Sequence, residues 1–186
     1  MDVLTKIIFI GENIKEEITE NTSLQFLWAC EEGNLDKVSE ILNDPKNVYV
    51  IASTNELNQN GFHLACSNGR YNIVDLLLKT VNMTAPRSHG LLQQLRAAQS
   101  ALRSTKINSK TPVVNPDIIN ATDKLNHQTG IHLACVKGYY DIVKLLLSDH
   151  NVDMEAKDAD GYSPIELAIK NGHRDIVKLI SFKMYK

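Results

Sequence analysis

The chain has 186 residues, a formal charge of −2, and 43% hydrophobic, 6% aromatic and 23% charged residues. This length fits one domain or a run of small repeats, and the hydrophobic share excludes wholesale disorder. No apolar run reaches the ~18 residues of a membrane span, and an odd count of three cysteines argues for a reducing compartment rather than a disulfide scaffold.

Charge is unevenly spread along the chain. Residues 1–60 carry a net −7, residues 76–116 a net +6 with no acid, and residues 117–186 a net −1. A basic block between acidic flanks calls for an explanation.

In chain order, residues 1–20 place Val3, Ile7, Ile10, Ile14 and Ile18 three or four apart, the stripe of an amphipathic helix, although Gly11 weakens it. Such a helix is expected to cap the exposed end of a stack of repeats; a separate docking helix is the alternative. Residues 21–55 hold the weakest copy of an internal repeat, Phe26 to Leu42. Residues 56–80 hold a strong copy, beginning Gly61-Phe-His-Leu-Ala-Cys66 and ending in Ile73-Val-Asp-Leu-Leu-Leu78. Residues 119–156 repeat it without a gap, from Gly130-Ile-His-Leu-Ala-Cys135 to Leu147, and residues 157–186 hold a last copy from Pro164 to Ile180. The shared glycines Gly33, Gly69, Gly138 and Gly172 lie 36, 69 and 34 residues apart, so the middle spacing is about two periods.

Each copy predicts helix, turn, helix. Ser163 before Pro164, with Glu166 three residues on, forms a capping box with proline at the first helical position. Thr129 and Asn60 stand in the same slot. The glycine ends the first helix, where a left-handed residue is needed. Ala29, Ala65, Ala134 and Ala168 share one small slot that lets helices approach closely. One unit cannot bury its own apolar face, so the units must stack.

Residues 81–118 do not fit. A degenerate repeat would fill the length, but Pro112 and Pro116 fall where its second helix would run. Gly90–Arg103 instead reads as an amphipathic helix with Leu91, Leu95, Ala98 and Leu102 on one face and Ser88 as its cap. The segment is a basic helical insertion or a remodelled repeat.

Thr129-Gly-Ile-His-Leu-Ala134, Asn60-Gly-Phe-His-Leu-Ala65 and Ser163-Pro-Ile-Glu-Leu-Ala168 resemble the Thr-Pro-Leu-His-Leu-Ala signature of the ankyrin repeat family. Val152–Gly161 is similar to the hairpin that joins its units, and Asn120–Asp123 to the same element one copy earlier. Gly replaces Pro in the middle copies, and the first copy lacks the cap and the His. The resemblance implies an all-α solenoid of about four helix-turn-helix units, with hairpin loops along one side. It also implies binding through the hairpin tips and the concave face of the first helices. Contact candidates from the variable slots there are Gln59, Ser67, Asn68, His127, Gln128, Val136, Lys137, Tyr162, Lys170 and Asn171.

Other residues invite a chemical reading. His63 with Cys66, and His132 with Cys135, give His-x-x-Cys twice, which could in principle hold zinc. They sit in identical repeat slots, and the resemblance gives such histidines a backbone bond to the hairpin; no metal and no cofactor is expected. Trp28 is expected in the core rather than stacked on a ligand. Glu31 and Glu32 read as solvated, and no phosphate loop, nucleophile elbow or dinucleotide fingerprint is present.

The sequence therefore predicts a non-enzymatic module that binds a partner protein. Arg87, Arg96, Arg103, Lys106 and Lys110 could steer an acidic partner or an anionic lipid, or neutralise the acidic N-terminal third. Nucleic acid is disfavoured because residues 81–118 offer no aromatic side chain for base stacking. Inhibition of an enzyme by occlusion is an alternative, as is chemistry within the insertion. The expected protein is a cytoplasmic monomer without a membrane span. Frequent Asn, Ile and Lys, with a short irregular chain, suit a secreted bacterial effector acting on a host protein in the host cytosol or nucleus.

Overall fold

The computed structural model describes residues 21–44, 47, 50–84 and 118–184. The expected capping helix of residues 1–20 and the basic side chains Arg87, Arg96, Arg103, Lys106 and Lys110 lie outside the described residues.

The described chain is helical and forms four pairs. The first pair is α1 (Thr22–Glu32) and α2 (Leu35–Asn43), followed by a 3-10 turn, Val50–Ala52. The second is α3 (Gly61–Ser67) with α4 (Tyr71–Thr84). The third is α5 (Gly130–Lys137) with α6 (Tyr140–Leu146), and the fourth is α7 (Pro164–Lys170) with α8 (Arg174–Met184). First helices pack side by side in the order α1, α3, α5, α7. The second helices form a parallel row behind them.

The capping slots work as the sequence predicts. Asn60, Thr129 and Ser163 have extended backbone, and each forms a reciprocal box with the residue three positions on. The first pair differs. Its helix starts earlier than the signature slot, at Thr22, and Asn21 caps it by accepting the Ser23 and Leu24 amides at 2.9 and 3.3 Å. The first copy thus has a cap, shifted out of register.

The small slot explains the close stacking. Ala29, Ala65, Ala134 and Ala168 are all fully buried. Cys30, Cys66 and Cys135 are buried beside them, and the next helix starts directly on the sulfur of the first two. A Cβ on Gly61 would lie 3.1 Å from the Cys30 sulfur, and one on Gly130 would lie 3.1 Å from the Cys66 sulfur. The second helices bury Val38 and Ile41, then Ile73, Val74, Leu77 and Leu78, then Ile142, Val143, Leu146 and Leu147, and last Ile176 and Ile180. Burying each such side chain contributes roughly 1.5–3 kcal/mol before the entropy cost.

Despite the long glycine spacing, the second and third units are adjacent. α3 touches α5 directly, so among the described residues no helix pair stands between the second and third units. The chain on either side of residues 85–117 meets at Asn151. The Asn120 amide donates to the Asn151 carbonyl at 2.7 Å, and the Asn151 amide reaches the Asn82 carbonyl oxygen at 3.4 Å. Asn82 also donates to Asp149 at 2.6 Å.

Candidate functional site

Three loops enter the first helices, and they share one geometry. Asn55, Asp123 and Asp158 each donate a backbone N–H to a carbonyl four or five residues on, Gln59, Gln128 and Tyr162 respectively, at 2.9–3.0 Å. The residue two before each cap is left-handed: Asn58 (φ 60°), His127 (φ 53°) and Gly161 (φ 82°). Asp160-Gly161 is the expected turn, and Gly161 is where glycine's freedom is used. Neighbouring loops are laced together, since the Lys124 amide donates to the Leu57 carbonyl at 2.9 Å and the Ala159 amide to the Asn126 carbonyl at 2.7 Å.

The two signature histidines pin helix to loop. His63 Nε2 lies 3.1 Å from the Gln128 carbonyl oxygen, and His132 Nε2 lies 3.1 Å from that of Ala156. A carbonyl only accepts, so Nε2 carries the proton. Nδ1 then accepts from the cap backbone, the Asn60 N–H at 3.2 Å and the Thr129 N–H at 3.2 Å. Burial pushes both imidazoles below their ordinary pKa, against the opposing pull of those carbonyls. Both ring nitrogens of each histidine are engaged, and His63 Nδ1 also lies 2.7 Å from the Asn60 side-chain oxygen. The paired thiols are equally committed: burial drives Cys30 and Cys135 up to about 12, and raises Cys66 as well. Among the described residues no three His, Cys, Asp or Glu side chains gather for a metal.

A second set of contacts joins the layers at the residue after each glycine. Arg70 lies over Gly33 and donates Nε to the Glu31 carbonyl at 2.8 Å. Tyr139 lies over Gly69. His173 lies over Gly138 and donates Nε2 to the Val136 carbonyl at 3.0 Å. Beyond Gly172 nothing lies within 4 Å of the position a Cβ would take.

The contact candidates divide against this frame. Lys137, Lys170 and Tyr162 are exposed on the inner side, and the Lys170 ammonium sits 4.4 Å from the Tyr162 ring centroid. His127 is exposed on its loop tip. Asn68 and Asn171 are exposed but also close their helices, donating to the carbonyls of Leu64 and Leu167 at 2.9 and 2.8 Å. Ser67 donates to the Leu64 carbonyl as well. Gln59 is half-buried and accepts from Asn55, and Val136 is half-buried. Gln128 is no surface residue: it is buried, and its amide donates to Asp158 at 3.2 Å. That bond, with the N–H groups of Tyr162 and Asp160, overcomes the upward push of burial and holds the Asp158 carboxyl below its usual range.

Trp28 corrects the sequence reading. It is 46% exposed rather than in the core. Its slot is filled elsewhere by Leu64, Leu133 and Leu167, and an indole exceeds the space that a leucine fills. Glu31 and Glu32 follow it on the same helix and are exposed, as expected. The inner row thus runs from Trp28, Glu31 and Glu32 through Ser67 and Asn68 to Lys137 and then Lys170, whereas Ile169, 60% exposed, stands in the slot that the cysteines fill in the other units and faces the open end of the stack. On the opposite side two grooves open between second helices. Tyr71, Asp141, Lys144, Leu145 and Ser148 line one, and Tyr140, Asp175, Lys178, Leu179 and Phe182 line the other.

Comparison with known proteins agrees with this architecture. A family model of ankyrin repeats in three copies matches residues 88–185, and a single-repeat model matches residues 57–85. The ankyrin repeat-containing protein ITN1 of Arabidopsis thaliana is 27% identical over 136 residues, 73% of this chain and 21% of that protein. Alpha-latrocrustotoxin-Lt1a of Latrodectus tredecimguttatus is 30% identical over 91 residues, 47% of this chain and 6% of the toxin. Alpha-latrotoxin-Lh1a of Latrodectus hasselti is 25% identical over 95% of this chain and 10% of the toxin. The chain therefore spans between 6% and 21% of these relatives' length. Among solved structures, one chain from the crystal structure of the complex between yeast ribosomal protein Rps3 and its chaperone Yar1 superposes with a TM-score of 0.64. It is 20% identical and the match covers 87% of this chain and 91% of that one.

Proposed function

The chain belongs to the ankyrin repeat family, and from that membership we propose that it is a non-enzymatic module that binds a partner protein through its inner helix row and the adjoining loop tips. The observation that carries this reading is a division of labour. The signature histidines, the cysteines and the capping residues are consumed by the stack, whereas Trp28, Lys137, Tyr162 and Lys170 stay exposed along one row. Exposed Trp and Tyr side chains are enriched in protein interfaces and among the residues that carry their binding energy, and lysines beside them can set charge complementarity. Among the described residues no helix is long and apolar enough to cross a membrane.

We read residues 85–117 as an insertion: the contact of α3 with α5 and the meeting of the flanking chain at Asn151 support this, while the match to the ankyrin-repeat model from residue 88 supports a remodelled repeat. Its basic charge is a candidate steering field for an acidic partner. The two surfaces are separated by one paired capture from eukaryotic cell extract. The baits are the full chain, the K137A/Y162A variant, and a chain with residues 85–117 replaced by a short Gly-Ser linker. Loss of a partner on K137A/Y162A alone, with folding intact by circular dichroism, supports the inner row. Loss on the linker variant alone transfers recognition to the insertion.

An effector role inside a foreign cell is a second reading, favoured by the likeness to latrotoxins. A translocation reporter fused to the chain in its native producer tests it: signal in the recipient cell supports the role, and retention in the producer overturns it.

A further inference from the structure

The inner row carries its charge in order. Its first helix presents Glu31 and Glu32, its second the neutral Ser67 and Asn68, its third Lys137, and its fourth Lys170. Among the described residues Glu31, Glu32, Lys137 and Lys170 make no ion pair. The other charges nearby are committed. Arg70 is held by the Glu31 carbonyl at 2.8 Å, and Glu166 is bound by Lys157 at 2.8 Å and by the Ser163 amide at 2.6 Å. Asp153, Glu155 and Asp160 are exposed but belong to the loop before α7, outside the helix row. An exposed indole, Trp28 at 46%, stands at the acidic end of the row.

We infer that this row binds one polypeptide segment in one fixed orientation, with a cationic end over Trp28, Glu31 and Glu32 and an anionic end over Lys137 and Lys170. The inference rests on the partner-binding reading above and adds the partner's chemistry to it. Complementary charge fixes register and rejects the reversed alignment, where like charges would face each other. An Arg or Lys at the first end also has the face of an exposed indole, which attracts a cation. At the other end the Lys170 ammonium over Tyr162 is already placed to meet a carboxylate. Four helices about 8–10 Å apart give a span of roughly 25–30 Å. That is about eight or nine extended residues, or close to twenty in a helix.

The test is a selection of random 20-residue peptides displayed on phage against the full chain. The result expected is enrichment of peptides with Lys or Arg toward one end and Asp or Glu toward the other. Soluble versions should bind E31K/E32K and K137E/K170E at least tenfold more weakly. Replacing the peptide's cationic residues by Glu should restore binding to E31K/E32K and not to K137E/K170E. Peptides without separated charges that lose affinity only on W28A would overturn the charge order and leave the inner row as the binding face. Peptides indifferent to all three variants, or no enrichment, would overturn both the orientation and the face.

Discussion

The imidazole of His173 covers Gly138 and donates Nε2 to the carbonyl of Val136, two residues before that glycine, at 3.0 Å. Arg70 stands in the same relation to Gly33 and the Glu31 carbonyl, one junction earlier. Each glycine thus meets two demands at once. It is left-handed, and its missing side chain makes room for the next layer's hook.

These demands separate by mutation. Gly138 has φ 79° and a Cβ there would come within 2.5 Å of the His173 ring, whereas Gly172 has φ 78° and open space. Gly172→Ala should cost only the left-handed strain, about 1–2 kcal/mol. Gly138→Ala should cost more, because the hook must also be displaced and its hydrogen bond, worth about 1 kcal/mol, broken. Urea unfolding of both variants checks the order, and equal losses would refute the hook.

The histidine pins predict acid sensitivity. His63 and His132 have native pKa values lowered from 6.5, chiefly by burial. Between the native value and 6.5 the unfolded chain binds more protons, so stability is full above 6.5 and falls as pH drops below it. The slope is at most about 1.4 kcal/mol per pH unit per histidine. Asp149 and Asp158, whose pKa values are also lowered, contribute only below the ordinary carboxylate range. Denaturation from pH 7 to 5 should show the loss, and H63Q/H132Q should flatten it while lowering stability at pH 7. An unchanged slope in that variant would remove the pins from the account.

The cysteines should be silent. All three are buried and their thiols are pushed far above neutral pH. A thiol reagent at pH 8 should label none of Cys30, Cys66 and Cys135 in the native protein, and all three in denaturant. Rapid labelling of any one without denaturant would mean that its layer opens.

His127 offers a stabilising substitution. It is exposed and left-handed in the slot that Gly161 fills one loop later. His127→Gly relieves strain of about 1–2 kcal/mol against an entropy cost of about 0.5–1 kcal/mol. A net gain of about 0.5–1 kcal/mol should raise the melting temperature, and a fall would show that the imidazole makes contacts worth more than its strain.

Much of this fold is legible in the sequence because its devices repeat with the same residue types. Thr129-Gly-Ile-His-Leu-Ala134 announces a cap, a pin and a small slot together, and all three appear where its spacing places them. The hooks escape such a reading because Arg70, Tyr139 and His173 share no chemistry. Only their constant offset from the glycine marks them. Asn21 is missed for a different reason: its helix begins out of register with the signature. Trp28 is misplaced because periodicity assigns it a leucine slot without asking whether an indole fits. Gln128 reads as a variable surface position, but its amide is spent on Asp158 across 30 residues. No local pattern encodes that partner.

Asn151 has a consequence for how such a chain can change over time. It gathers Asn82 and Asn120 to one point, so the stack is already closed on both sides of the segment between them. The entropy of a loop with fixed ends grows only logarithmically, by about 0.6 kcal/mol for each doubling of its length. For a connection that obeys this scaling, a change of length at this junction would leave the contacts of the flanking layers nearly unaffected. The junction is the place in this molecule where new surface can accumulate while the scaffold stays under unchanged selection.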